Sequence, residues 1–307
     1  MKDLKQELVS LLGTGAVRPE EPMKGHTTFR IGGPVQFFIT PKNTEELVKA
    51  ITLCRSFRMA CTVIGNGSNL LVSDRGWRGT VISTENLKNF NVSQTSIWAE
   101  AGVPLARLAS QAKEASLTGL EFAAGIPGTL GGALVMNAGA YGSEMKDILL
   151  WADVWSPDGI IHRKTARQLE LGYRTSCIPK EEYVVLAAEL ALREGVQEQI
   201  KIRMEELGSQ RKDKQPLEYP SAGSTFKRPP GHFAGKLIDE AGLRGYQVGG
   251  AAISEKHCGF VINKDHATAE DVITLCKEVT ARVKRKTGVE LELEVKVLGD
   301  EVICPAL

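Results

Sequence analysis

The chain of 307 residues has little that would hold a polyanion, a membrane or a metal ion. Its 38 Lys and Arg residues almost balance its 37 Asp and Glu residues, so no net positive field is available to nucleic acid or to an anionic lipid surface. No apolar run reaches the length of a transmembrane helix. The six cysteines contain no CxxC pair and the five histidines are scattered, which predicts neither a zinc site nor a disulfide framework. We therefore expect no metal, no nucleic-acid partner, no membrane segment and a cytoplasmic location.

The N-terminal part of the sequence predicts a helix and then a β-α-β unit. Residues 1–17 carry Asp3 and Glu7 and lack a small-x-small cleavage site, which indicates an amphipathic helix and not a signal peptide. A strand at 35–40, a helix at 43–57 and a strand at 60–72 follow, and the last of these is interrupted by glycines. Ligands of α/β units usually bind at the C-terminal edge of such strands.

The rest of the chain is predicted to contain further strands and helices. The predicted elements are strands at 79–84 and 96–102, a helix at 103–119, a hairpin at 148–165, a strand at 183–192, helices at 195–216 and 233–243, strands at 250–254 and 259–264, a helix at 269–288 and an alternating strand at 289–299. Pro104 in the first turn and Gly119 just past the end delimit the helix at 103–119. Thr268 and Asp271 predict a capping box for the last helix.

A first glycine loop, "GNGSN" at 65–69, leaves a predicted strand. Glycines let a backbone approach a ligand closely, and successive amides can form an anion-binding nest for phosphate. The loop lacks the third glycine of a Rossmann fingerprint and the Gly-Lys-Ser/Thr of a P-loop. By itself it is therefore equally consistent with a tight turn.

A second glycine-rich stretch, "AGIPGTLGGALVMNAGAYG" at 124–142, is more specific. Six glycines and several alanines leave a wall almost without side chains, which suits a large flat cofactor packed against backbone. The alternative is a small-residue helix packed closely on a sheet.

Several segments in this order resemble one enzyme family over nearly the whole chain. They are "TTFRIGG" (27–33), "VIGNGSNLL" (63–71), "GIPGTLGGALVMNAGAYG" (125–142), "LGYRTS" (171–176), "GSTFKRP" (223–229) and "ELEVKVLG" (292–299). This pattern is similar to the UDP-N-acetylenolpyruvoylglucosamine reductases (MurB), flavoenzymes with a vanillyl-alcohol-oxidase-like FAD-binding fold. The resemblance implies the α+β class. It also implies an N-terminal helix (1–19), a PCMH-type FAD-binding domain (20–198) with subdomains of about 20–80 and 81–198, and an α/β substrate-binding domain (199–307).

The resemblance also implies which residues bind the cofactor. In this family the two glycine stretches hold FAD, and their counterparts here are Gly65, Asn66, Gly67, Ser68, Asn69, Gly125, Ile126, Pro127, Gly128, Thr129, Gly132, Ala133, Asn137 and Gly139. No histidine clearly matches the covalent flavin attachment of some relatives of the fold, and His26 is the nearest candidate. We therefore expect non-covalent FAD.

The family reaction assigns roles to three further residues. NADPH reduces FAD, and hydride then passes to the alkene of UDP-N-acetylglucosamine enolpyruvate while a proton is added to the other carbon, which gives UDP-N-acetylmuramate. The family's proton donor corresponds to Ser224, and its other catalytic positions correspond to Arg174 and Glu294. A guanidinium fork can grip the enolpyruvyl carboxylate. The expected substrate contacts are Lys214, Gly223, Lys227 and Arg228.

Departures from the family pattern keep some expectations open. Leu293 replaces a usual proline, and Arg228 stands where some members have asparagine. The stretch 171–215 is too short for the substrate-covering tyrosine loop of one subgroup, so the chain resembles the shorter-loop subgroup, with Tyr141 and Tyr219 as candidates for the missing contact. The alternative functions are an FAD-dependent alcohol or aldehyde oxidase and a non-catalytic nucleotide-binding module. No obligate protein partner is predicted.

Overall fold

The computed structural model describes residues 3–300, which form three units of mixed helix and strand. This composition confirms the predicted α+β class. Four 3₁₀ turns join the longer elements, at Thr14–Ala16, Met23–Gly25, Glu121–Ala123 and Met145–Asp147.

The first unit is a four-stranded sheet covered by two helices. Its elements are α1 (Leu4–Leu12), β1 (Val17–Pro22), β2 (Pro34–Ile39), α2 (Thr44–Ser56), β3 (Cys61–Ile64), β4 (Leu70–Val72) and β5 (Trp77–Ser83). The sheet order is β1-β2-β5-β3, with β2 and β3 both parallel to β5 as a β-α-β connection requires. On α1, Leu4, Leu8 and Leu12 are buried at a spacing of one helical turn. Such burial is worth about 1.5–3 kcal/mol per leucine, so α1 belongs to this core.

The second unit is a five-stranded antiparallel sheet carrying the second glycine stretch on one side. Its elements are β6 (Phe90–Ser93), β7 (Ser96–Glu100), α3 (Leu105–Glu114), β8 (Leu117–Thr118), α4 (Leu130–Val135), β9 (Gly139–Ala140), β10 (Ser143–Glu144), β11 (Leu149–Trp155), β12 (Ile161–Lys164), β13 (Val184–Ala191) and β14 (Arg193–Glu194). The sheet order is β12-β11-β13-β7-β6, and α4 packs on β13 and β7. The second glycine stretch therefore includes α4, which packs on the central strands of this sheet.

The third unit is a small antiparallel sheet backed by a long helix. Its elements are α5 (Gln197–Lys214), α6 (Ala234–Glu240), β15 (Gln247–Val248), β16 (Ala251–Ile253), β17 (Val261–Asn263), α7 (Ala269–Thr287) and β18 (Lys296–Leu298). Helix α5, which the predicted division assigns here, packs against α3 and β8 of the second unit. The division at residue 199 stays a prediction.

A strand pairing and a helix cap are among the contacts that join the first and third units near the first glycine loop. Strand β18 pairs in parallel with β4, the strand that follows the loop. The carboxylate of Asp74 accepts hydrogen bonds from the backbone amides of Ala269 and Glu270, at 2.9 and 3.1 Å, and so caps the first turn of α7 from outside its own unit. These contacts fix the third unit over the loop.

The predicted boundaries of two elements, a helix and a strand, were wrong. Helix α3 ends at Glu114, so Gly119 lies beyond the intervening β8 and is not the residue that ends the helix. The predicted alternating strand at 289–299 is a strand only at Lys296–Leu298. Before that point its backbone pairs through an isolated bridge between Leu293 and Phe226, because the segment turns to meet the loop that contains Ser224. The predicted capping box of Thr268 and Asp271 is present.

Within residues 3–300, none of the helices combines the length and the apolar character needed to cross a bilayer.

Candidate active site

The two glycine loops face the Ser224 segment across a cleft of about 340 Å³. Residues 63–70 and 126–140 line one side of it with glycines, alanines and several larger apolar side chains. Residues 222–224, Phe260, Glu294 and Lys296 of the third unit line the other. Arg174, Ser224 and Glu294 all line this cleft. The structure therefore brings together three residues that are at least fifty positions apart in sequence.

The first glycine loop contacts two other segments so closely that side chains are excluded. A Cβ on Gly65 would lie 2.2 Å from Oγ1 of Thr129, and one on Gly67, whose φ is 59°, would lie 2.2 Å from the carbonyl oxygen of His26. The side-chain Nδ2 of Asn66 donates to the carbonyl of Pro127 at 3.1 Å and so holds the two glycine stretches together. The loop thus forms the edge of a cleft and is more than a turn.

The second glycine stretch presents an open cradle that fits a flat cofactor. A Cβ on Gly132 would meet no protein atom nearer than 3.7 Å, and one on Gly128 none nearer than 3.8 Å, among the described residues. Between them, Oγ1 of Thr129 is buried without a hydrogen-bond partner among residues 3–300. A buried hydroxyl without a partner costs free energy, so its partner is expected to be a bound ligand. These residues fit FAD.

Arg174 and Glu294 form a partly buried ion pair in the cleft. Nε of Arg174 lies 2.9 Å from Oε1 of Glu294, and the two side chains are 24% and 12% exposed. Nη2 of Arg174 donates to the carbonyl of Gly139 at 3.2 Å. The backbone of Arg174 has a φ of 52°, in the left-handed region that is costly for a side chain of this size and is often found at functional sites. The guanidinium is thus held in one orientation, and Nη1 has no hydrogen-bond partner among residues 3–300.

Hydrogen bonds of the neighbouring residues fix the position of the Ser224 backbone. The amide of Glu294 donates to the carbonyl of Thr225 at 2.8 Å, which places the serine segment directly against the glutamate. Thr28 donates to the carbonyl of Ser221 at 2.7 Å and its amide donates to Gly67, so the "TTFR" motif ties this segment to the first glycine loop. Within residues 3–300 the Ser224 hydroxyl has no hydrogen-bond partner.

Burial raises the pKa of Glu294 above the ordinary glutamate value of 4.5, and the positive charges of Arg174 and Lys227 oppose that shift. The ion pair is the reason the carboxylate can remain charged in a largely buried position.

Most, but not all, of the cofactor-binding residues predicted from the sequence line the cleft. The predicted cofactor residues that line it are Gly65, Asn66, Gly67, Ser68, Asn69, Ile126, Pro127, Gly128, Thr129, Gly132, Ala133 and Gly139. Gly125 lies behind it, under the side chain of Arg211. Asn137 is fully buried and its amide donates to Glu144 and to the carbonyl of Gly172, so it supports the loop from within.

The predicted substrate contacts divide in the same way. Gly223 lines the cleft, whereas Lys214, Lys227 and Arg228 are outside the lining found among residues 3–300. Lys227 pairs with Glu292, and the guanidinium of Arg228 lies 3.9 Å from the centre of the Phe233 ring. The role of these three cations in substrate binding stays a prediction.

The tyrosine and histidine candidates are also outside the lining. The Tyr141 hydroxyl donates to the carbonyl of Leu207 on α5 at 3.2 Å. Tyr219 is 38% exposed. His26 contacts Glu21 at 2.8 Å and stacks on Phe38, away from the cleft.

Five polar residues of the cleft were not predicted as site residues from the sequence. Thr175 and Ser176 follow Arg174 directly in the chain. Arg211 and Gln215 come from the end of α5, and Lys296 comes from β18. The four-residue spacing of Arg211 and Gln215 places them on one helix face, which was the available signal. In a helix this highly charged, however, the same pattern is usual for a solvated surface.

Known protein families match the chain in two segments. Residues 35–165 match an FAD binding domain, and residues 215–298 match the C-terminal domain of UDP-N-acetylenolpyruvoylglucosamine reductase.

Individual relatives match over nearly the full length. The UDP-N-acetylenolpyruvoylglucosamine reductase of Caldanaerobacter subterraneus subsp. tengcongensis is 49% identical over 97% of this chain and 99% of its own. That of Lachnoclostridium phytofermentans is 51% identical over 97% of each chain. The crystal structure of the enzyme from Thermus caldophilus has a TM-score of 0.79 and 39% identity, and covers 92% of this chain and 99% of that one. A glucose dehydrogenase, Phl p 4.0202, shares the fold at a TM-score of 0.51 and 16% identity over 64% of this chain and 45% of its own.

Proposed function

This chain belongs to the UDP-N-acetylenolpyruvoylglucosamine reductase family, and we propose that Ser224 donates the proton of that reaction while Arg174 and Glu294 bind and stabilise the reacting carboxylate. The protein is an FAD-dependent oxidoreductase of peptidoglycan precursor synthesis. The observation that supports the residue roles best is the convergence of the Arg174–Glu294 ion pair and the unpartnered Ser224 hydroxyl on the wall of the glycine-lined cleft.

Bound FAD supplies the hydride, which we propose comes from NADPH. Hydride addition to an alkene conjugated with a carboxylate occurs at the carbon farther from that carboxylate, so negative charge builds up on the nearer carbon and on the carboxylate oxygens. The fork of Arg174 can hold both oxygens and stabilise the added charge. Glu294 fixes the orientation of the fork through Nε, and the carbonyl of Gly139 accepts one N–H of Nη2, which leaves Nη1 and the second N–H of Nη2 for the substrate.

Ser224 completes the reaction by protonating the carbon next to the carboxylate. A serine hydroxyl is a weak acid, so it can act only where the alkoxide it leaves is stabilised at once. The cations lining the cleft are Arg174, Arg211 and Lys296, and these are the groups available for that purpose. The alkoxide then regains a proton from water, and the substrate has gained two hydrogens across the former double bond.

Turnover with the two proposed substrates tests these roles. FAD-loaded wild-type protein, given NADPH and the enolpyruvyl UDP-sugar, should give a product heavier by two hydrogens in mass spectrometry. Ser224→Ala, Arg174→Met and Glu294→Gln should each bind FAD and form product at a much lower, measurable rate. A variant of Ser224 that turns over at the wild-type rate would contradict its role as proton donor.

A cytoplasmic location and the absence of an obligate protein partner are part of the same proposal. Both substrates are small metabolites, and one chain contributes every residue of the proposed mechanism.

A further inference from the structure

Asn137 occupies the position just past the end of helix α4. Its backbone has a φ of 41°, and its backbone N–H and that of Ala138 donate to the carbonyls of Leu134 and Ala133, at 3.2 and 2.8 Å. These two hydrogen bonds close a helix in a Schellman motif, where the residue in the left-handed region is usually glycine and sometimes asparagine. Glycine would serve the backbone equally well here, so the asparagine side chain needs a reason of its own.

The side chain of Asn137 is fully buried, and each of its polar atoms has a partner. Nδ2 donates to Oε2 of Glu144 at 2.7 Å and to the carbonyl of Gly172 at 3.0 Å. Oδ1 accepts from the backbone amide of Lys146 at 2.9 Å. Both N–H groups of the side chain are therefore used within the protein. A buried polar network that is satisfied in this way makes its surroundings rigid.

Gly172, one of the two acceptors, belongs to the turn that contains Arg174. The backbone amide of Gly172 donates to the carbonyl of Thr175 at 3.1 Å, and the amide of Thr175 donates back to Gly172 at 3.3 Å. The carbonyl that accepts from Asn137 is thus at the base of this turn. Asn137 therefore holds the backbone from which the Arg174 side chain projects.

Glu144, the other acceptor, belongs to the hairpin that contacts the guanidinium of Arg174. Strands β9 and β10 pair Gly139 with Glu144. The Gly139 carbonyl accepts from Nη2 of Arg174 at 3.2 Å. Asn137 therefore contacts the supports of both ends of Arg174, namely the turn that holds its backbone and the hairpin that holds its guanidinium.

We infer that Asn137 is a positioning residue for Arg174, which fixes the guanidinium where it can bind the carboxylate of the substrate. This role rests on the proposed function, in which Arg174 and Glu294 act on that carboxylate. Contacts to reacting groups are sensitive to distance, and a displacement of about 1 Å can slow a reaction by about 100-fold. Asn137 is outside the cleft lining found among residues 3–300, so it acts through Arg174 and not by touching the substrate.

Ser176 also ties this segment to α4. Its hydroxyl donates to the carbonyl of Val135 at 2.7 Å and accepts from the backbone amide of Ile178 at 3.3 Å. These bonds fix the chain after Arg174 but, within residues 3–300, involve no atom of the β9–β10 hairpin. Asn137 contacts both supports of the arginine, so it explains the position of the guanidinium better.

Replacing Asn137 by glycine isolates its side chain from its place at the helix end. Glycine is the usual residue there in a Schellman motif, so the fold should be kept. In FAD-loaded protein, Asn137→Gly should slow reoxidation of the flavin by the enolpyruvyl UDP-sugar by about 10- to 100-fold, with FAD reduction by NADPH and the FAD Kd changed by less than about threefold. Asn137→Asp, which has the same shape but no Nδ2 donor, should show the same pattern. Stopped-flow absorbance and flavin-fluorescence titration measure these quantities.

Lys146→Met is the matched control. The Lys146 side chain is 45% exposed and pairs with Glu144 from the solvent side. Its replacement removes that ion pair but keeps the backbone amide that donates to Asn137. Both half-reactions should therefore run at the wild-type rate in this variant.

A double-mutant cycle separates positioning from a general structural effect. Adding Asn137→Gly to Arg174→Met should slow reoxidation further by less than about threefold, because the guanidinium that Asn137 positions is already absent. A structural defect elsewhere would slow reoxidation by the same factor in both backgrounds, and that additive result would overturn the inference. Equal slowing of the two half-reactions, or reoxidation at the wild-type rate in folded Asn137→Gly, would also overturn it.

The pH dependence of kcat gives a second measure of the position of Arg174. The positive charges of Arg174 and Lys227 oppose the rise in the pKa of Glu294 that burial causes. A displaced guanidinium opposes it less, so the acid limb should lie at higher pH in Asn137→Gly than in wild type, with Lys227 and Lys296 unaltered. A reduced rate with an unmoved acid limb would show that the ion pair is intact and would overturn the inference. Failure of the wild-type protein to turn over is a different result, which rejects the proposed function.

Discussion

Two adjacent glycines of α4 should respond in opposite ways to the same substitution. A Cβ on Gly131 would lie 2.9 Å from Cβ and 3.2 Å from the carbonyl oxygen of Ala101, on the core side of the helix. A Cβ on Gly132 points into the cleft, where the nearest atom among the described residues is 3.7 Å away. Gly131→Ala therefore tests core packing, and Gly132→Ala tests cofactor space.

The expected magnitudes follow from these distances. Replacing glycine by alanine within a helix gains up to about 1 kcal/mol. Gly132→Ala should keep that gain, so the protein without FAD should melt up to about 2 °C higher. Overpacking costs about 1–3 kcal/mol, so Gly131→Ala should lose up to about 2 kcal/mol net. In Gly132→Ala the methyl occupies space expected for FAD, and a similar strain on binding would raise the FAD Kd by about 5- to 150-fold.

Thermal melts of the FAD-free proteins and flavin-fluorescence titrations measure the two effects separately. The reasoning is refuted if Gly132→Ala binds FAD as tightly as wild type. It is also refuted if Gly132→Ala is destabilised as much as Gly131→Ala, because the open side of α4 would then not face the cofactor.

Three further predictions concern Ser224, Glu294 and the positioning residue Thr28. Ser224→Ala should leave reduction of FAD by NADPH unchanged and slow reoxidation by the UDP-sugar by about 10²- to 10⁴-fold, as expected for loss of a general acid. Stopped-flow absorbance of the two half-reactions checks this, and equal slowing of both would contradict it. Since burial raises the pKa of Glu294, activity should fall as the pH drops through a value above 4.5, because protonation breaks the ion pair with Arg174. The kcat–pH profile should show that acid limb in wild type and not in Glu294→Gln, whereas an acid limb retained in Glu294→Gln would belong to another group. Thr28→Val removes the hydrogen bond to Ser221 and should lower kcat by about fivefold without changing the FAD Kd. A fivefold change corresponds to the contribution of about 1 kcal/mol that one hydrogen bond makes. A changed FAD Kd would show that Thr28 acts through the glycine loop instead.

The sequence predicted the features that depend on local pattern or on a contiguous motif. The capping box of α7 and the two glycine loops were of this kind, whereas the fold class came from the resemblance. Resemblance then named the residues that line the cleft, and Arg174, Ser224 and Glu294 do converge there. The hydroxyl of Thr28 illustrates the limit, because its acceptor, the carbonyl of Ser221, is 193 residues away.

The features that were missed depend on which way an element faces once the units pack. Lys214 and Arg211 are on the same helix, and only packing of α5 on α3 and β8 decides that Arg211 points inward. Asn137 was predicted to contact the cofactor, yet its side-chain Nδ2 donates to Glu144 and to the carbonyl of Gly172 instead. The strand expected at 289–299 is short because its first half pairs with the serine segment.

The most direct test of the central claim is an anaerobic visible spectrum of the FAD-loaded protein through two additions. NADPH should bleach the flavin band, and UDP-N-acetylglucosamine enolpyruvate should then restore it with formation of one equivalent of UDP-N-acetylmuramate. A band that bleaches with NADPH and is not restored by this substrate would contradict the assigned reaction.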